Sequence, residues 1–168
     1  MNYCPQCANP MGEVLVENEI RPGCSETSCG FIFFNNPTPV IAMIVELPDG
    51  VVMAHNVSWP TEFYSIITGF LEEKEDPEQC AVRETQEELG LHCLESTLVG
   101  VYPFPQQNQV IIAYHIKAAG AVTLNHELDD YKIVPKSELK GWRFGTGLAV
   151  NDWLARGCLI PAANNKTH

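Results

Sequence analysis

The chain has 168 residues, which is enough for one compact domain and a small appendage. Its formal net charge of −11 argues against a broad grip on nucleic acid, which depends on many Lys and Arg side chains at phosphates. The start, Met1-Asn2-Tyr3-Cys4, lacks the basic and apolar segments of a signal peptide. No apolar run approaches the about 20 residues of a membrane span. We therefore expect a cytoplasmic protein that does not contact membranes.

Four of the seven cysteines lie within the first 29 residues. Cys4-x2-Cys7 and Cys24-x4-Cys29 are two short pairs joined by a hairpin-length spacer, which is typical of a four-thiolate zinc ribbon. A structural Zn²⁺ on these four thiolates would stabilise a segment too small to hold its own core, here residues 1–36. Reduced buried cysteines or a redox pair are the alternatives. The isolated cysteines are predicted to fill the core: Cys80, Cys93 and Cys158.

Residues 37–160 are predicted to form a second domain, followed by a flexible tail at 161–168. Its first strand is a β-branched apolar run, and a Pro-Asp-Gly turn leads from that strand into the next. A proline-rich loop at 103–105 separates the last two strands, and a C-terminal helix is predicted at 148–155. The predicted strands span residues 40–45, 51–53, 64–67, 98–102 and 109–118.

The clearest helix is predicted for residues 77–89. Asp76 suits the N-cap, and Pro77 suits the first helical position. Gln79 stands where a capping box requires Glu or Gln, and Gly90 suits the C-terminal stop. One face of this helix is expected to pack on a sheet: Ala81, Val82, Thr85 and Leu89.

Glu84, Glu87 and Glu88 occupy one arc of roughly 100° beside that packed face. Like charges at these spacings repel, and a cation between them would relieve the repulsion. Mg²⁺ and Mn²⁺ prefer oxygen ligands of this kind. Arg83, the only basic residue of the helix, is expected to point away from the centre of the arc. A solvated acidic face without a ligand is the alternative.

From Gly69 to Leu91 the sequence is Gly-x5-Glu-x7-Arg-Glu-Thr-x-Glu-Glu-x-Gly-Leu. This stretch resembles the 23-residue signature of Nudix hydrolases, with Thr85 where a larger aliphatic side chain is common. The resemblance implies an α/β fold, namely an α/β/α sandwich with a mixed sheet. It also implies hydrolysis of a phosphoanhydride with Mg²⁺ or Mn²⁺. Glu84, Glu87 and Glu88, with the main-chain carbonyl of Gly69, would hold the catalytic metal.

The resemblance also assigns catalytic and structural roles. Glu84 and Glu87 would act in catalysis as well as in metal binding. Glu87 and Glu127 are both candidates for the base that takes a proton from water, and a solvated loop acid is the alternative for Glu127. Glu75 and Arg83 would form a structural pair that braces the loop before the helix.

A zinc ribbon before this signature resembles NADH pyrophosphatases from Cys4 to about Leu154. Phe70 lies in a similar entry to the signature. Tyr102-Pro103-Phe104-Pro105-Gln106 resembles their specificity motif Ser-Gln-Pro-Trp-Pro-Phe-Pro-x-Ser, although Val99-Gly100-Val101 replaces Ser-Gln-Pro. We therefore expect a stacking surface for a substrate ring on Phe70, Tyr102 and Phe104. A core or dimer contact is the alternative for Tyr102 and Phe104.

The predicted reaction is metal-dependent cleavage of the pyrophosphate bond of a small nucleoside diphosphate-linked molecule, with NADH, NAD or ADP-ribose as the expected substrates. A homodimer is implied by the resemblance. One alternative is a house-cleaning hydrolase of other nucleotide derivatives. Another is a sensor that binds NAD or ADP-ribose without turnover, which the intact signature disfavours. Removal of an NAD cap from RNA is a third, which the acidic charge disfavours.

Overall fold

A computed structural model describes residues 1–157 of the protein and contains two compact units, one of residues 1–36 and one that begins at Pro37. The predicted tail and Cys158 lie outside the described residues. Across residues 1–157, no helix is long and apolar enough to cross a membrane.

The first unit is built on a hairpin. Strands β1 (Met11–Val16) and β2 (Glu19–Cys24) pair antiparallel through a two-residue turn. Both turn residues, Glu17 and Asn18, have positive φ values of 48° and 71°, as the tight turn between twisted strands requires. Cys4, Gly23 and Cys24 are the only buried residues of this unit. The hairpin therefore has almost no apolar core of its own.

The second unit contains a six-stranded mixed sheet in the order β6-β7-β3-β4-β8, with β5 paired to β3. The central pair, β3 and β7, is parallel, and the other pairs are antiparallel. The strands are β3 (Thr38–Leu47), β4 (Gly50–Asn56), β5 (Ile67–Phe70), β6 (His92–Phe104), β7 (Gln109–Ala119) and β8 (Leu128–Val134).

One helix covers each face of this sheet. Because side chains alternate along β3, Ile41 and Met43 pack in one core cluster while Ile44 packs in the other. Helix α1 (Pro77–Leu89) closes the first cluster and α2 (Thr146–Gly157) closes the second. The prediction of an α/β/α sandwich with a mixed sheet is confirmed.

The start and the end of α1 are as predicted. The Asp76 side chain accepts the N–H of Glu78 at 2.8 Å, and the Gln79 side chain accepts the N–H of Asp76 at 3.3 Å. Gly90 ends the helix in the left-handed conformation, with φ 66°. The capping box and the glycine stop are both confirmed.

Three other predictions were wrong. The strand predicted at 64–67 begins only at Ile67, because Ser65 makes an isolated bridge to β4 and the ladder with β3 starts opposite Met43. The loop predicted at 103–105 is instead the end of β6, followed by a 3-10 turn at Pro105–Gln107. Val82 is only half-buried and lies outside the core clusters, because the packed face of α1 is rotated toward Glu88.

Candidate active site

Gly69 brings the sheet and α1 into direct contact. A Cβ at this position would lie 2.2 Å from Cδ of Glu84, so any larger residue would push the carboxyl group away. Gly69 is held in place by pairing with Ile41 in β3. Its backbone and the Glu84 carboxyl group are therefore packed against each other, which explains why the position requires glycine.

Arg83 is bound by three carboxylates. Its Nε and Nη2 donate to Glu75 at 2.7 and 3.0 Å, and its Nη1 donates to Glu84 and to Glu87, each at 2.9 Å. The expected pairing with Glu75 is confirmed, and the guanidinium lowers the pKa of Glu75 to about 2. The expectation that Arg83 points away from the acidic arc was wrong, because its long side chain folds back along the helix to Glu84 and Glu87.

Glu88 is the most deeply buried acid of the helix, with 6% of its surface exposed. Burial, reinforced by the nearby carboxylates of Glu84, Glu127 and Glu87, raises its pKa to about 8. Burial also raises the pKa of Glu84, although Arg83 partly opposes the shift. This part of the protein therefore carries more negative charge than its single guanidinium balances.

Glu127 approaches the same acids from the segment before β8. Its side chain and that of Glu88 line one small cavity of about 40 Å³. Its position is fixed by its backbone, because its N–H donates to the Asn125 side chain at 3.0 Å and its carbonyl accepts the N–H of Val57 at 2.9 Å. Glu127 thus lies near the acidic residues of α1, although it follows Glu88 by nearly 40 positions in the sequence.

An open cleft of about 440 Å³ adjoins Gly69. Phe70 and Phe104, two of the predicted substrate-binding residues, line it. The Phe104 and Phe144 rings face each other at 6.4 Å between centroids, with 30° between their planes. Within residues 1–157, no Lys or Arg lines the cleft. We call it the aromatic cleft after its rings, which are Trp59, Phe63, Phe70, Phe104, Trp142 and Phe144.

Sequence reasoning missed Trp59, Trp142 and Phe144. The segment around Trp142 has neither helical nor strand periodicity, but two glycines bracket it, and these were the available signal. A Cβ on Gly145 would lie 3.4 Å from the Phe104 ring, so this glycine allows the loop to approach the cleft wall closely. Its φ of 54° also favours glycine.

Tyr102 does not line the cleft. It is buried in the cluster beneath α2, and its hydroxyl donates to Asp152 at 3.0 Å. Gly100 leaves room for this arrangement, since a Cβ there would lie 2.8 Å from the Tyr102 hydroxyl. The structure therefore places Tyr102 in the core, which was the alternative weighed for this residue.

The four N-terminal cysteines converge. Their Sγ atoms all lie within 4.8 Å of one another, and no other potential metal-ligand group within residues 1–157 is gathered so closely. The backbone N–H groups of Gln6 and Glu26 donate to the sulfurs of Cys4 and Cys24, each at 3.4 Å. A hydrogen bond from the Asn9 backbone is the main cause that lowers the pKa of Cys7 to about 7. The thiolate, the form in which cysteine binds metals, is thus favoured at Cys7, whereas burial raises the pKa of Cys24 to about 12.

Two further cysteines, Cys80 and Cys93, lie among the described residues of the second unit. Cys80 is fully buried in the first core cluster, and Cys93 packs against that cluster. Burial raises the pKa of Cys80 to about 12, so its thiol stays protonated at neutral pH. The prediction that these two residues fill the core is confirmed.

The NUDIX domain family matches residues 36–151 of the chain. The match covers well over half of the sequence, and the chain therefore belongs to the Nudix family.

Curated relatives carry the name NAD-capped RNA hydrolase NudC. The relative from Pseudomonas putida is 27% identical over 167 residues, which is 95% of this chain and 59% of the relative. The relative from Vibrio atlanticus is 28% identical over 120 residues, which is 71% of this chain and 43% of the relative. This chain thus spans less than two thirds of the length of these relatives.

Solved structures show the same fold. A Nudix hydrolase from Nitrosomonas europaea superposes with a TM-score of 0.72 at 25% identity, covering 83% of this chain and 80% of that one. An ADP-ribose pyrophosphatase from Streptococcus suis gives a TM-score of 0.59 at 13% identity, covering 73% and 92%. The second likeness concerns the fold alone.

The raised pKa of Glu88 predicts a pH-dependent stability. In the unfolded chain this carboxyl group ionises near pH 4.5, whereas in the folded protein it holds its proton to about pH 8. Burying it therefore destabilises the fold increasingly from about pH 4.5 to pH 8. We expect Glu88→Gln to raise the free energy of unfolding at pH 8 by more than about 1.4 kcal/mol, the equivalent of one pKa unit.

Urea unfolding without added divalent ions measures this effect. All three tryptophans, Trp59, Trp142 and Trp153, lie in the second unit, so their fluorescence follows that unit. The gain should shrink toward pH 4.5, and Glu138→Gln, which removes an exposed carboxylate, should show neither the gain nor the trend. An equal effect of both substitutions would contradict the burial of charge at Glu88.

Proposed function

We propose that this protein hydrolyses the pyrophosphate bond of a nucleoside diphosphate-linked molecule, with NAD, NADH or ADP-ribose as the preferred substrates. The observation that carries the proposal is the contact at Gly69 and Phe70. Gly69 packs on the acidic side chain of Glu84, and the next residue, Phe70, lines the aromatic cleft. A substrate with its ring in the cleft would therefore place its phosphates beside the acids.

The acidic cluster suits Mg²⁺ or Mn²⁺. Glu84, Glu87 and Glu88 offer carboxylate oxygens, and Gly69 adds a backbone carbonyl at the point of closest approach. Arg83 pairs with two of these carboxylates, those of Glu84 and Glu87. When bound, such an ion neutralises phosphate charge and lowers the pKa of a water ligand.

Glu127 is our preferred general base. Glu87 is 58% exposed, and one of its carboxylate oxygens already accepts a hydrogen bond from Arg83. Glu127 faces the buried Glu88 across a small cavity, on a backbone fixed by two hydrogen bonds. A proton taken from water would pass to its carboxylate. Glu84 then remains a metal ligand rather than a base.

The cleft supports a planar substrate ring. Its walls are aromatic, and Gln107, Gln109 and Thr146 supply polar groups at its rim. Stacking on Phe70 and Phe104 would bind a base or a nicotinamide ring without any charged contact. Because no Lys or Arg of the described part of the chain lines the cleft, phosphate recognition would fall to the acid-bound metal.

NAD-capped RNA is a second candidate substrate, because the curated relatives carry that activity in their names. It runs against our expectation that nucleic acid is an unlikely partner of a chain with a net charge of −11. RNA binding would require contacts to phosphates, and these weaken steeply with salt. Turnover of capped RNA that falls with salt while turnover of free NAD does not would favour this candidate.

The catalytic proposal predicts a substrate panel. With Mg²⁺ or Mn²⁺, NAD, NADH or ADP-ribose should be cleaved at the pyrophosphate bond, ahead of FAD and nucleoside triphosphates, with products identified by chromatography. Glu87→Gln should lower kcat by at least about 100-fold, since one of the metal ligands is lost. Glu78→Gln, an exposed acid in the first turn of the same helix, is the matched control and should retain activity.

Either of two results would count against this assignment. Full activity of Glu87→Gln would remove the proposed metal role. Tight binding of NAD or ADP-ribose without turnover under any metal condition would favour the sensor alternative.

We further propose that Cys4, Cys7, Cys24 and Cys29 hold a structural Zn²⁺. The purified protein should contain about one zinc per chain, as measured by atomic emission. Cys24→Ser should lose the zinc and the fold of the N-terminal hairpin, because that hairpin has almost no other core. Cys93→Ser, which removes a thiol outside the cluster, should keep the metal. Full zinc content in Cys24→Ser would contradict the assignment.

We also propose a homodimer, which size-exclusion chromatography with light scattering tests.

A further inference from the structure

His55 is a buried histidine that the proposed reaction does not use. It lies near the end of β4 with 6% of its surface exposed. Its Nδ1 is 2.5 Å from Oδ1 of Asp129, and its Nε2 is 3.1 Å from the carbonyl oxygen of Pro60. The ring therefore joins two segments that are distant in sequence, namely the loop after β4 and the start of β8.

Both partners of this ring are hydrogen-bond acceptors. A backbone carbonyl can only accept, so Nε2 must carry a hydrogen to bind Pro60. Asp129 is 54% exposed, and its ionised carboxylate also only accepts. A neutral imidazole has one N–H and can satisfy only one of the two. An imidazolium satisfies both contacts at once, whereas a neutral ring satisfies only one of them while Asp129 is ionised.

The anchored loop forms one wall of the aromatic cleft. Trp59, which directly precedes Pro60, lines the cleft together with Phe63, and their rings meet edge to face at 5.0 Å. The same loop also contacts the segment that carries Glu127, because the N–H of Val57 donates to the carbonyl of Glu127. A displacement at Pro60 would therefore move the Trp59–Phe63 wall of the cleft.

We propose that protonated His55 is a positioning residue that fixes the Trp59–Phe63 wall of the aromatic cleft to β8. The consequence for substrate binding rests on the proposed function, whereas the anchoring of the loop does not. Loss of the proton would leave a lone pair facing either Asp129 or Pro60. The wall would then be free to move away from the cleft.

The charges around His55 set the direction of the pH effect. Asp129 and Asp130 face it from β8, and the Tyr64 ring lies 5.5 Å away with its hydroxyl on Asp130. Nζ of Lys132 lies over the Tyr64 ring, 3.5 Å from its centroid. The hydrogen bond to Asp129 is the largest cause that raises the pKa of His55 above 6.5. The anchor should be fully present below pH 6.5 and lost as the pH rises through that higher value.

The test uses fluorine NMR of the full chain labelled with 5-fluorotryptophan, which gives one signal per tryptophan, assigned with Trp59→Phe. The Trp59 signal should titrate with a midpoint above pH 6.5. Trp153 supplies an internal comparison, because it contacts His115 at 4.9 Å and burial lowers the pKa of that histidine. Its signal should titrate below pH 6.5.

Variants separate the two histidines. His55→Gln should abolish the Trp59 titration and keep that of Trp153, and His115→Gln should do the reverse. If His55→Gln does not fold, Asp129→Asn serves instead and should lower the midpoint of the Trp59 signal. An unchanged Trp59 titration in His55→Gln, or in Asp129→Asn, would overturn the proposal.

Kinetics then connect the anchor with the cleft. As the pH rises past the Trp59 midpoint, KM for NAD should increase about tenfold in the wild type, which is the scale of one charged hydrogen bond. The ratio of KM between wild type and His55→Gln isolates this step from other titrations. A pH-independent ratio would overturn the proposal. Absence of any turnover would count against the proposed function alone, because the NMR result does not depend on it.

Discussion

The candidate active site depends on several carboxyl groups held close together against the backbone of Gly69, with the guanidinium of Arg83 among them. Glu84 packs on that glycine, and Glu88 is buried behind it with a pKa raised to about 8. A structure selected for stability alone would replace such a carboxyl group with an apolar or amide side chain, since burial of charge opposes folding. The strain is relieved in two ways: Arg83 binds Glu75, Glu84 and Glu87, and a divalent cation would neutralise the rest.

The sheet explains why a cleft adjoins these acids. Strand β5 pairs with β3 over only four residues and then turns toward α1, so Gly69 faces the helix while Phe70 faces the cleft. The loop after β4 and the segment before β8 meet at the same place through Val57 and Glu127. In the proposed function, ring binding and phosphate chemistry would thus depend on different chain segments that share a few backbone contacts, and His55 would hold one of those segments through its contact with Pro60.

The parts of this arrangement that are local in sequence could be predicted. The caps of α1 and the spacing of its acids follow from short-range rules, and the partnership of Glu75 with Arg83 was implied by the resemblance to Nudix hydrolases; the structure contains all three. Strand β8 was missed because its exposed Asp129, Asp130 and Lys132 hide any apolar alternation. The cleft was only partly foreseen, because its wall at Trp142 and Phe144 comes from a segment without periodicity. Tyr102 was misjudged because its cover, α2, comes from far along the chain.

We propose that the acids of α1 bind a divalent ion, which replaces the proton on Glu88. Calorimetric titration of Mn²⁺ into the zinc-loaded protein at pH 7, in two buffers of different ionisation enthalpy, detects both the binding and the proton release. Because the pKa of Glu88 is about 8, the metal must displace its proton. We expect about one proton released per bound ion, and hence different heats in the two buffers. Equal heats, or no binding of Mn²⁺, would contradict this account of the site.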